Sequence, residues 1–139
     1  MGMRVHPKSI KRLRDKLKMV TSRSNAMSME YRALRLKQII IGWVQYFKLA
    51  DMKSILLKLD EWLRRRIRMC YWKQWKKIKT KYYNLLRLGI DKSKAWEYAN
   101  TRKGYWRISN SPILSRSLTN NYLKSQGFIT LTERYLIVS

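Results

Sequence analysis

The chain has 139 residues, 32 of them Lys or Arg against 8 Asp or Glu, for a formal net charge of +24. A chain of this length suits one domain or two small ones sharing a core, and 45% hydrophobic residues supply that core, which excludes a disordered basic tail. One cysteine (Cys70) and one histidine (His6) exclude an internal disulfide, a multi-cysteine zinc site and a histidine metal cluster. The longest apolar run, Ile39 to Val44, falls far short of the ~20 residues a membrane span needs, and no secretory signal is visible. A globule so strongly cationic repels itself unless a polyanion screens it, so the expected partner is nucleic acid or an anionic surface.

The first predicted helix begins at Pro7, with His6 as its entry residue, and carries Ile10, Leu13, Leu17 and Val20 along one stripe. Lys8, Lys11, Arg12, Arg14, Lys16 and Lys18 cover its other faces. Thr21 to Asn25 reads as a loop. Ser28 caps a second helix, with Glu30 in its first turn and Met29, Ala33, Leu36, Ile40, Trp43 and Phe47 as its apolar row. A second row, Leu34 and Ile41, makes this helix apolar on two sides and predicts a central position. Gly42 within it costs about 1 kcal/mol against Ala and predicts close approach of another backbone.

Asp51 is the expected cap of a third, long helix reaching Trp72 or Trp75. Its apolar arc holds Met52, Ile55, Leu56, Leu59, Trp62, Leu63, Ile67 and Cys70, the last read as a packing residue; Glu61, Arg64, Arg65 and Arg68 fall opposite. Arg66 falls inside the arc, where it must reach a carboxylate, a carbonyl cluster or a phosphate. Asp60 and Glu61 read as ion-pair partners for arginine rather than catalytic groups. A fourth helix should stop at Gly89, Asp91 should cap a short fifth, and Ser111-Pro112 should start a sixth that Gly127 ends. Thr101 to Arg107 reads as a loop of alternating basic and aromatic residues, and Phe128 to Val138 as a short strand or extended docking tail. The expected fold is all-α: about three long helices in a bundle, then shorter helices and the tail, divided at 1–75 and 76–139.

The candidate nucleic-acid residues follow the charge. From Arg64 to Lys81 run Arg64, Arg65, Arg66, Arg68, Lys73, Lys76, Lys77, Lys79 and Lys81, a stripe of about 26 Å if helical. All but Arg66 are candidate phosphate ligands, joined by Arg12 and Lys16 of the first helix. Flat aromatic rings between cations can stack on unpaired bases. Trp72 and Trp75 divide between that role and core packing; Tyr105 and Trp106 are either loop anchors or a stacking platform. Trp43, Phe47 and Trp62 read as core. The scattered acids, with no phosphate loop, argue against catalysis by this chain alone and require no metal or cofactor.

At Ile41-Gly42-Trp43-Val44-Gln45-Tyr46-Phe47 the sequence resembles the GW-x-x-YF signature of the maturase-specific (X, or thumb) domain of group II intron reverse transcriptases. Leu59 to Arg68 resembles that family's LD-x-W-[LI]-RRR-[LI]-R helix. Trp72 to Lys77, with Lys94 to Asn100 and Arg102 to Trp106, looks like the bacterial branch without an endonuclease domain. The resemblance runs from about Val5 to Phe128 and implies binding of group II intron RNA to promote splicing. It also implies a thumb gripping a template–primer duplex and a following region that contacts target DNA, with Arg102, Lys103 and Arg107 as candidates. The implied neighbour is the finger-palm reverse transcriptase domain of the same protein, in a bacterial cytoplasm, with no membrane role. A duplex-DNA regulator or recombinase accessory module is the alternative from a different class.

Overall fold

A computed structural model describes residues 4–138. Among them the fold is all-helical, with no strand. Helix α1 spans Pro7–Val20, α2 Met29–Phe47 and α3 Lys53–Gln74; the shorter helices are α4 Ile78–Arg87, α5 Lys92–Ala99, α6 Tyr105–Ile108, α7 Pro112–Ser117, α8 Asn120–Ser125 and α9 Leu131–Val138.

Local chemistry sets most of these boundaries. The His6 ring nitrogen Nδ1 accepts from Lys8 N–H, and the Ser28, Asp91, Ser111 and Thr119 side chains each accept from a first-turn amide of the following helix. Gly89 (φ +95°) and Gly127 (φ +93°) end α4 and α8. In both, the next residue's N–H reaches back to the last turn, Ile90 to Leu85 O and Phe128 to Leu123 O. Asp51 is not a cap: α3 starts after Met52 with no side-chain hydrogen bond. The sixth predicted helix breaks at Leu118 into α7 and α8, and Tyr105, expected in a loop, opens the short helix α6.

The central element is α3, not α2. Every residue from Ile67 to Trp72 is buried, so this part of α3 is covered all round. On α2 only one stripe is buried; Leu34 and Tyr31 on its other side stand 51% and 49% exposed. A methyl group at Gly42 would meet nothing within 4 Å, so the expected close backbone approach does not occur there. Leu17, Ile40 and Leu56 are fully buried, each contributing about 1.5–3 kcal/mol relative to exposure. The chain breaks between α3 and α4 near Trp75, where the sequence suggests a division, yet one apolar cluster runs across it, from Leu13 and Ile40 through Trp72 to Leu114 and Leu131.

Two polar groups tie distant segments to this core. Arg32, 4% exposed, donates to the Val20, Ser22 and Met27 carbonyls and to Asn25 Oδ1, gathering the α1–α2 loop around its guanidinium. The negative end of the α1 dipole lies there, which favours a cation. Asp60, 3% exposed, accepts from Leu131 N–H at 2.8 Å and Thr132 N–H at 3.0 Å and from the Thr132 hydroxyl. It thereby caps α9 from across the molecule, where an arginine ion pair was the expectation. Capped in this way, the segment expected as a strand or extended tail is helical, and Tyr135 donates to Ala50 O to hold it on the bundle.

Candidate nucleic-acid interface

The arginines of α3 part company by angle. Arg68 turns inward, 9% exposed, donating to Leu118 O at 2.8 Å and Asn120 Oδ1 at 2.9 Å. Burial lowers its pKa, with Arg64 adding repulsion. It is a pin between α3 and the α7–α8 turn, and its expected place on the outer face is corrected. Arg66 lies inward as its register predicts and meets a carbonyl cluster: it donates to Thr21 Oγ1 at 2.9 Å, Thr21 O at 3.1 Å and Lys18 O at 3.4 Å. The same Thr21 carbonyl accepts from the buried Cys70 thiol, whose pKa burial pushes up.

Arg65 lies flat on Trp106, 3.7 Å from the ring centroid, and donates to Trp106 O at 2.8 Å and Ser109 Oγ at 3.3 Å. It anchors α6 as well as presenting charge. Replacing Arg65 with Ala should therefore lower stability by about 1–2 kcal/mol, seen as a melting temperature several degrees lower; unchanged melting would show that the stack contributes nothing. The side chain of Arg64, half-buried at a cleft mouth, makes no hydrogen bond among the described residues.

Trp72 and Trp75 are corrected in the same way. At 1% and 7% exposure, packed edge-on against each other, they present no ring face to an incoming base. They are apolar enough to fill the space α3 and α4 leave, and Lys81 lies over Trp72 at 4.9 Å, its own pKa lowered by burial. Lys73 is half-buried and donates to Arg23 O. Tyr105, half-buried, lies 5.3 Å from the Arg23 guanidinium, while Trp106 keeps 38% of its surface open. Arg12, Lys16, Lys76, Lys77, Lys79, Arg102, Lys103 and Arg107 are all exposed.

Two clefts flank the Trp106 ridge. One, of about 630 Å³, lies between α1, the α1–α2 loop and α3, with Arg14, Lys18, Arg23 and Arg66 around Trp62. The other, of about 910 Å³, lies between α3 and the α6–α8 segment. Trp62 and Trp106 line both. Arg14 sits 4.7 Å from the Trp62 centroid and Arg66 5.5 Å, so cations and rings alternate from α1 to α6. Sequence reasoning left Arg14, Lys18 and Arg23 out of the site and read Trp62 as core only. Their signal was the i,i+4 spacing of Arg14 with Lys18 and of Trp62 with Arg66.

Carboxylates neutralise almost none of this surface. Among the described residues the ion pairs are Lys94–Glu97 at 3.4 Å and Lys124–Glu133 at 3.2 Å, both exposed. No group of three His, Cys, Asp or Glu residues among them is placed to hold a metal, and no helix is long and apolar enough to cross a membrane.

An all-helical scaffold whose cations face outward without carboxylate partners defines a polyanion-binding module. The group II intron maturase-specific domain matches residues 10–89, more than half of the chain, and the protein belongs to that family. The matched domain is the non-catalytic part that serves splicing by binding group II intron RNA. No curated protein matches the chain.

Proposed function

We propose that this chain grips a folded group II intron RNA through its outward cations and holds the RNA in its splicing-competent form, the ribozyme supplying the chemistry. The observation that carries the reading is the near-absence of ion pairs among the described residues of a chain with a formal net charge of +24. Compacting RNA brings phosphates close together, and a rigid row of cations offsets that repulsion. Arg12 and Lys16 on α1, Arg64, Arg65 and Lys73 on α3, and Lys76, Lys77, Lys79 and Lys81 after it are the proposed phosphate ligands. Arg65 serves there in addition to anchoring α6, and the fixed orientation of its guanidinium suits phosphate.

The same reading extends to DNA. Residues 1–75 act as the thumb and RNA-binding part, beside a finger-palm reverse transcriptase domain of the same protein. Residues 76–139 then contact the template–primer duplex or target DNA through Arg102, Lys103 and Arg107, all exposed around α6. Tyr105 and Trp106 are the stacking candidates that remain accessible.

Replacing Arg12 and Lys16 together with Ala tests the phosphate assignment. Both are exposed on α1 with no hydrogen-bonded side-chain partner among the described residues, so melting should not move. The slope of log affinity against log salt should become shallower by roughly 1–2, as loss of two phosphate contacts requires. An unchanged slope would remove the α1 face from the interface. Competition between intron RNA and duplex DNA at physiological salt separates this reading from a DNA regulator, which would prefer the duplex.

A further inference from the structure

The cleft between α3 and the α6–α8 segment differs chemically from the rest of the basic surface. The neighbouring cleft presents Arg14, Lys18, Arg23 and Arg66 with no acid, as suits phosphates. This one also carries cations, Lys58, Arg64 and Arg65 with the buried Arg68, but adds side-chain amides at its rim: Asn110 and Asn121 are exposed and make no side-chain hydrogen bond among the described residues. Asn120 turns its oxygen to the buried Arg68, which fixes its amide nitrogen as a donor. Glu61 is the cleft's single carboxylate. Among these cations Glu61 is an acceptor that the neighbouring cleft lacks, one to which the exocyclic amino groups of cytosine and adenine can donate and a phosphate cannot. Trp106 and the Arg65 guanidinium lying on it supply flat surfaces at the same rim.

We propose that this cleft binds the base of an unpaired RNA nucleotide whose own phosphate meets Arg64 at the cleft mouth, with the strand crossing the Trp106 ridge so that the next phosphates lie in the Arg14–Arg23 cleft. The inference rests on the RNA-binding reading above and adds to it a site that discriminates between bases. Paired bases in an A-form helix turn their edges into a groove that side chains do not enter, so the ligand is a loop, bulge or end.

The test uses the full chain and short single-stranded oligomers of adenosine, cytidine and uridine of equal length, with fluorescence anisotropy at fixed salt. Uridine, lacking an exocyclic amino group, should bind about fivefold or more weaker than cytidine or adenosine. Glu61→Ala should abolish that preference while leaving melting unchanged, and Asn110→Ala combined with Asn121→Ala should weaken all three oligomers alike, since an amide both donates and accepts. Equal binding of the three oligomers, or a preference that survives Glu61→Ala, overturns the base site and leaves RNA binding intact. Failure to bind any RNA overturns the RNA-binding reading and the site together.

Discussion

Arg32→Ala should lower stability by about 3 kcal/mol and the melting temperature by roughly 10 °C. The guanidinium is buried and is the common donor to three carbonyls and an amide oxygen of the α1–α2 loop. Without it the Val20 and Met27 carbonyls lose their guanidinium donor and Asn25 Oδ1 keeps only the Met27 N–H, and the loop that also carries Thr21, the acceptor for Arg66 and Cys70, loses its shape. Arg32→Lys should recover little, because an ammonium group cannot span acceptors on both sides of a planar fork. Thermal unfolding by circular dichroism is the check, and a variant melting within a degree or two of the parent would show that water replaces the guanidinium without loss.

Asp60→Ala should act at a distance and more locally. Its carboxylate is the acceptor for the first amides of α9, and its removal leaves them unsatisfied against an apolar surface, at about 2–3 kcal/mol. Hydrogen exchange distinguishes this from a general loosening: the Leu131 and Thr132 amides should lose protection first, while those of α1 keep theirs. Equal loss throughout would make Asp60 a core group rather than a cap.

These residues also mark where sequence reading stops. The stripe of Leu13, Leu17 and Val20, the caps at Ser28, Asp91 and Ser111, and the glycine stops at Gly89 and Gly127 are local, and each is legible in a few neighbouring residues. So is the inward register of Arg66. The helical state of α9 is not, because its cap lies 71 residues earlier in the chain. The same limit hid the fate of Arg68. Its angle on α3 is opposite the apolar arc, but α7 and α8 return to cover that side, and only tertiary packing decides it. Trp72 and Trp75 followed the same course. The outer cations of α1 and of the α3–α4 junction were legible because nothing later in the chain comes back to neutralise them. The clefts beside Trp106 were not, since α6 reaches α3 from about forty residues away in sequence, through Arg65.

The claim on which the functional account rests is that exposed, unpaired cations bind closely spaced phosphates. Titrating the protein into its intron RNA between roughly 50 and 200 mM salt measures this directly: with about six phosphates engaged, affinity should fall about a thousandfold. An affinity that stays within a few-fold across that range would contradict it.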